Sequence, residues 1–155
     1  MDYKSKIILI AGPTASGKSK IAINLAKKIN GEIVNADSMQ VYKQLKILTA
    51  RPSEKDQKTI KHHLFGIIDV RKRFSTGQWL KECIKTINLI RKRKNVPIIV
   101  GGTGLYFKAL VDGLVRIPKF KPSDKNKILK LHNKLGQNQF YKNYITIQKK
   151  LARLS

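Results

Sequence analysis

The segment that most constrains the fold is a short apolar run, Ile7-Ile8-Leu9-Ile10-Ala11, followed at once by Gly12-Pro13-Thr14-Ala15-Ser16-Gly17-Lys18-Ser19. The eight residues match the phosphate-binding pattern G-x-x-x-x-G-K-[ST] at every fixed position. Such a loop works where a strand delivers it to the start of a helix. Backbone N–H groups and the helix N-terminus then form a cradle for phosphate oxygens. Both flanks fit. Ile7 to Ala11 is predicted as a buried strand, and a helix is predicted from Lys18, with Ile21, Leu25 and Ile29 recurring every four positions on one face. Lys18 would offer its charge to the terminal phosphate, and Ser19 a hydroxyl suited to Mg²⁺. The loop announces a phosphate without saying which molecule carries it.

The rest of the chain repeats the alternation of strand and helix. Gly31 sits where a helix-ending glycine belongs. Glu32 to Ala36 reads as a second strand, followed by the polar turn Asp37-Ser38-Met39-Gln40. Ser53-Glu54-Lys55-Asp56 reads as a helix start, and His63 to Ile68 as a further strand. Ser75-Thr76-Gly77-Gln78 is a second capping pattern. It opens a helix whose face carries Trp79, Cys83, Ile87 and Ile90, with Arg91-Lys92-Arg93-Lys94 at the end where cations meet the negative pole of the dipole. Val96 to Val100 is a short apolar strand. Gly101-Gly102-Thr103-Gly104 and a helix through Leu105, Phe107, Leu110 and Val111 follow it.

This order predicts an α/β fold, a P-loop NTPase-like parallel sheet flanked by helices, with ligands beyond the carboxyl ends of the strands. The character changes after Gly113. Pro118 and Pro122 frame a lysine-rich linker. Ser123-Asp124 opens a helix with Ile128, Leu129, Leu131 and Leu135, ending at Gly136, and a last helical stretch carries Phe140, Tyr144 and Ile147. The predicted division is residues 1–115 for the α/β core and 116–155 for the start of a helical insertion domain.

At 155 residues, 41% of them hydrophobic, the chain can bury a real core. Its 33 basic residues against 9 acidic ones give a net charge of +24. A polyanionic partner follows, with nucleic acid foremost. A compositional bias toward lysine, which supplies 26 of the basic residues, would give the same charge without a binding site. One cysteine excludes an internal disulfide framework. No apolar run is long enough to span a bilayer and no cleavage-site pattern follows the first strand, so the expected compartment is the cytoplasm.

A hydrolytic motor adds an aspartate after a second apolar strand to hold Mg²⁺. Here Val96 to Val100 ends in Gly101-Gly102, which argues against a motor ATPase or GTPase. The acid nearest the loop by topology is Asp37, which could face a second substrate or could simply serve its turn, since Asp-Ser is good turn chemistry. His62 and His63 are adjacent and would point to opposite faces of a strand, which suits structural roles better than a shared metal. Cys83 and Trp79 read as core.

Five segments in order complete the picture: Gly12 to Ser19, Ala36-Asp37-Ser38-Met39-Gln40-Val41-Tyr42, Thr49-Ala50-Arg51-Pro52, His62-His63-Leu64 and Gly101-Gly102-Thr103-Gly104-Leu105-Tyr106. The set resembles the tRNA dimethylallyltransferases, also called tRNA isopentenyltransferases, over about Lys6 to Leu114. The resemblance implies transfer of a dimethylallyl group from dimethylallyl diphosphate to N6 of the adenosine 3′ of the anticodon. The loop residues Gly12, Pro13, Thr14, Ala15, Ser16, Gly17, Lys18 and Ser19 would then hold the leaving diphosphate with Mg²⁺ on Ser19. Asp37 would orient the amine and take up its proton, with Lys18 and Thr103 also catalytic. Asp37, Ser38, Met39, Gln40, Thr103 and Lys125 would meet the tRNA.

Family members are considerably longer, and their helical insertion corresponds to a region beginning near Arg116. The resemblance therefore implies the N-terminal part of such an enzyme, working as a monomer, with an incomplete sheet whose edge and apolar surface are exposed. Two other classes stay open on the residues: a small-molecule or nucleotide kinase using ATP on the same loop, and a non-enzymatic remnant that binds RNA through charge. The kinase reading is weakened because only Arg116 and Arg153 lie beyond the sheet region to serve as lid arginines.

Overall fold

The computed structural model describes residues 6–47, 49, 51–52, 54–115 and 121–152. Ala50, Ser53, Arg116, Pro118 and Arg153, each used above, lie outside them. The chain divides into two compact units, Met1–Leu114 and Val115–Ser155.

The first unit carries a four-stranded sheet in the order β1-β4-β2-β3, with every pairing parallel. Its strands are β1 (Ile8–Ala11), β2 (Gly31–Asn35), β3 (His62–His63) and β4 (Val96–Gly101). Helix α1 (Lys18–Ile29) covers one face. Helices α3 (Thr76–Lys92) and α4 (Gly104–Asp112) cover the other, and α2 (Glu54–Thr59) precedes β3. Period-two alternation sorts the core. Ile33, Ile98 and Val100 pack under Ala22 and Ala26 of α1, whereas Val34 and Ile99 pack with Trp79, Cys83, Ile87 and Ile90 of α3. β2 and β4 are buried on both faces, as central strands of a parallel sheet must be.

The capping pattern at Ser75 forms as expected. Ser75 Oγ accepts from the Gln78 N–H at 3.2 Å, and Gln78 Oε1 accepts from the Ser75 N–H at 2.8 Å, so each residue satisfies a donor the other leaves open.

Four expectations change. β1 is the sheet's edge rather than a buried strand, and Leu9 is 42% exposed. On α1 only part of the expected row faces the core: Leu25 and Ile29 pack against it, Ile21 is 58% exposed, and Ala22 and Ala26 make the closest contact because small side chains let the helix sit close to the sheet. Gly31 does not end α1; Asn30 does, in the left-handed conformation at φ 54°. Gly31 opens β2, where a Cβ would stand 2.6 Å from the Ile98 side chain and 3.1 Å from Ala26 Cα. The strand expected over His63 to Ile68 stops after His63, because Leu64 and Gly66 both take positive φ, 62° and 59°, and turn the chain out of the ladder. Only the single bridge from Tyr42 to Ile68 remains of it.

In the second unit, α5 (Pro122–Leu151) begins with the proline, whose fixed φ suits a first helical position. Gly136, at φ 71° and ψ 166°, breaks it into two helical stretches, as the sequence predicts. Ile128, Leu129, Leu131, Tyr144 and Ile147 on it are exposed.

Candidate active site

Three loops leave the carboxyl ends of β1, β4 and β2. The glycine-rich loop after β1 turns through two left-handed residues, Ala15 at φ 64° and Gly17 at φ 79°, and Gly17 caps α1. Its backbone is drawn tight at Gly12, where a Cβ would meet Ser16 Oγ at 3.0 Å. Lys18 Nζ donates to the Pro13 carbonyl at 2.7 Å, so the ammonium lies at the mouth of the loop.

The sequence makes Asp37 the acid nearest this loop, which neighbouring ends of the first two strands would explain. The order differs: β4 stands between β1 and β2. The two loops still share one cleft, because β4 ends in glycines. The Gly12 N–H donates to the Gly101 carbonyl at 3.3 Å. On the other side, a Cβ on Gly101 would run into the Ala36 backbone. Position 101 therefore has no room for a side chain between the two backbones.

The resulting cleft has a volume of about 510 Å³, walled by loop residues Thr14 to Lys20 on one side and by Asp37, Met39, Gln40 and Thr49 on the other. An adjoining recess is lined by Lys18, Ser19, Asp37 and Gln40 together with His62, Phe65 and Gly101. Thr14 to Ser19, Asp37, Met39 and Gln40 are therefore brought together. Gly12 and Pro13 shape the loop from behind.

The turn role of Asp37 is formed, and its side chain lines the cleft. Its Oδ1 accepts from the Met39 N–H at 2.9 Å and the Gln40 N–H at 3.4 Å, fastening its own turn. Ser38 and Thr103 meet each other rather than the cleft: Thr103 Oγ1 accepts from the Ser38 N–H at 2.9 Å and lies 3.3 Å from Ser38 Oγ. The Thr103 N–H also donates to the Ala36 carbonyl at 3.2 Å. The Thr103 hydroxyl thus ties the loop after β4 to the Asp37 turn. Lys125 belongs to α5 in the second unit.

The opposite flank of the turn is zipped to the segment after β3. The Gly66 N–H donates to the Gln40 carbonyl at 2.9 Å and the Ile68 N–H to the Val41 carbonyl at 3.0 Å. Gln40 Nε2 reaches the Thr49 carbonyl at 2.8 Å. His62 and His63 do diverge. His62 packs edge-on against Phe65 with ring centroids 5.6 Å apart, which puts it on the wall of the recess, where sequence reasoning did not look. His63 Nε2 bonds Glu32 Oε2 at 2.6 Å. Among the described residues no group of three or more His, Cys, Asp or Glu side chains could hold a metal.

The sequence model of the IPP transferase family matches residues 40–154. The chain belongs to the IPP transferase family. A tRNA dimethylallyltransferase from Pelagibacter ubique is 58% identical over 97% of this chain and 48% of its own length. Among solved structures, the full-length tRNA isopentenylpyrophosphate transferase of Bacillus halodurans superposes with a TM-score of 0.71 at 32% identity, over 97% of this chain and 50% of that one. A eukaryotic dimethylallyltransferase captured acting on tRNA superposes with a TM-score of 0.79 at 31% identity, over 96% of this chain and 37% of that one. The chain spans about half the length of the IPP transferase relatives it matches. No helix among the described residues is long and apolar enough to cross a membrane.

Proposed function

We propose that this chain carries the diphosphate-binding and proton-accepting parts of a tRNA dimethylallyltransferase. The observation that carries the reading is the single cleft shared by the Thr14 to Ser19 cradle and Asp37, joined across a side-chain-free turn at Gly101. A phosphate cradle facing a carboxylate, with no acid after β4, suits displacement of a diphosphate better than phosphoryl transfer to water.

The N6 nitrogen of an adenosine attacks the C1 carbon of dimethylallyl diphosphate. A C–N bond forms, the C–O bond breaks, and the diphosphate departs with the electron pair. The loop N–H groups, the α1 N-terminus and Lys18 receive the growing negative charge, where fixed dipoles stabilise it without reorganising. With Oδ1 of Asp37 engaged by two backbone donors, Oδ2 is the atom that accepts an N6 hydrogen, orients the amine and takes its proton. Ser19, at the start of α1, offers one hard oxygen of the kind Mg²⁺ accepts alongside phosphate oxygens and water. Bound there, the ion would neutralise charge on the leaving group. Met39 and Gln40 flank the adenosine side, and Lys125 is a tRNA contact on the second unit. The net charge of +24 suits the phosphate backbone of such a substrate.

The test incubates the product of the complete gene with labelled dimethylallyl diphosphate, Mg²⁺ and an unmodified anticodon stem-loop with adenosine 3′ of the anticodon. Label at N6 is expected. Asp37→Ala should lower transfer about a hundredfold or more while diphosphate binding stays within about threefold. No label from the wild type, or loss of diphosphate binding in Asp37→Ala, overturns the assignment. Binding of ATP in preference to dimethylallyl diphosphate would point to the kinase class instead.

A further inference from the structure

β2 ends at Asn35, two residues before Asp37. Asn35 is 0% exposed, and a buried primary amide is costly unless each polar group finds a partner. Its partners are concentrated on one place. Oδ1 accepts from the Asp37 N–H at 2.9 Å, and Nδ2 donates to the Asp37 carbonyl at 3.0 Å and to the Leu64 carbonyl at 3.2 Å. The Asn35 backbone carbonyl accepts from the Trp79 indole N–H at 2.8 Å. Trp79 in turn stacks on Tyr106 with ring centroids 4.2 Å apart and planes 12° from parallel.

We propose that Asn35 is a positioning residue for Asp37, a buried clamp that sets where the Asp37 carboxylate stands in the cleft. The N–H and C=O of Asp37 flank its Cα, so holding both fixes the backbone on either side of the side chain. The Oδ1 bonds to Met39 and Gln40 then fix the remaining torsions. The Leu64 bond extends the clamp to the segment after β3, and the indole bond anchors it to the α3–α4 layer. A valine or leucine would fill a central strand at least as well. What an apolar residue cannot do is hold both peptide groups of the acid. Placement of a reacting group to within a fraction of an ångström is what such support supplies. The role rests on the prenyl-transfer reading of Asp37.

Three variants separate the bonds. Asn35→Ala removes the three side-chain bonds and leaves the indole bond to the backbone carbonyl. Asn35→Ser keeps a hydroxyl able to accept the N–H two residues on. Asn35→Asp keeps the shape but turns lone pairs toward the Asp37 and Leu64 carbonyls. Amide hydrogen exchange in this chain is expected to accelerate about tenfold or more over residues 36–40 in Asn35→Ala, with residues 31–34 and 96–100 unchanged. In the transfer assay on the complete gene product, kcat is expected to fall about tenfold or more in Asn35→Ala at a KM for dimethylallyl diphosphate within about threefold, with Asn35→Ser recovering most of it. If Asn35→Ala fails to fold, the order of kcat Asn, then Ser, then Asp at constant KM supports the clamp, and equal values overturn it. Exchange unchanged over residues 36–40, or raised across the whole sheet, also overturns it. Asp37→Ala losing transfer while the Asn35 variants keep it defeats the role of Asn35 alone. A wild type without N6 product, or an Asp37→Ala variant that still transfers, defeats the reading beneath it.

Discussion

Glu32 offers the sharpest test of how the scaffold is held. It lies at the start of β2, at the end of the sheet away from the phosphate loop, and its side chain is 3% exposed. Arg93 Nε and Nη2 donate to its two oxygens at 3.0 and 2.7 Å, Asn95 Nδ2 donates at 2.7 Å and His63 Nε2 at 2.6 Å. One carboxylate thereby joins β2 to β3, to the end of α3 and to the residue before β4. Burial alone would raise the carboxyl, but the hydrogen bonds from Arg93, His63 and Asn95 and the Arg93 charge outweigh it and lower its pKa from 4.5 to about 2. Because the folded value is depressed, the stabilisation is fully present above the unfolded value and is lost as pH falls toward the folded one. The shift corresponds to about 3 kcal/mol at neutral pH and to roughly half of that or less at pH 3. Glu32→Gln keeps the shape and removes the charge. Urea unfolding should therefore show the variant less stable than wild type by about 3 kcal/mol at pH 7, with the gap roughly halved at pH 3. A gap that does not narrow with acid, or one below about 1 kcal/mol at pH 7, would falsify the charge-based account.

Three further outcomes follow from the same geometry. Gly101→Ala places a methyl group against the Ala36 backbone and should cost about 1–3 kcal/mol in thermal or urea unfolding, with weaker diphosphate binding. Wild-type stability in this variant would mean the β4 end yields easily. Burial pushes the Cys83 thiol up to about 12, so its reaction with a disulfide reagent should run about a hundredfold or more slower in native buffer than in denaturant; comparable rates would place Cys83 at the surface. Stem-loop RNA binding should weaken steeply between about 50 and 200 mM salt, since counterion release accompanies phosphate contacts; a flat response would assign the lysines to composition alone.

The alternation of strand and helix was legible because it rests on local signals: a glycine-rich loop, a capping box at Ser75, and buried runs bounded by turns. The departures occur where the tertiary partner decides. Ile21 has helical periodicity, but two alanines one position on set how close α1 comes to the sheet. Gly31 looks like a helix end and is instead kept open for Ile98. Leu64 is an apolar residue in a strand-like run, yet it adopts φ 62°, which its residue type does not suggest. The loop and Asp37, which line the cleft, could be named from the sequence because a glycine-rich pattern and an acid after a strand are legible by residue type. Asn35 and Glu32 could not. Each is a polar residue within an apolar strand, and only the partners brought from 29 and 61 residues away reveal its role.

The central strand β4 explains why the glycine-rich loop and Asp37 line one cleft although their strands do not touch. β1 lies at the edge of the sheet and pairs with β4 alone. The carboxyl end of β4 contributes a carbonyl to Gly12 on one side and close backbone packing to Ala36 on the other. Pro97 is compatible with this central place because Val96, Ile98 and Val100 present their backbone groups toward β2. The missing N–H therefore faces the β1 side, ahead of Ile8, the first β1 residue in the ladder. Thr103, two residues past the strand, then bonds Ser38. A displacement of the β4 end would move the cradle and the Asp37 turn together. The spacing between the glycine-rich loop and the Asp37 turn is thus set by a turn of two glycines and a threonine.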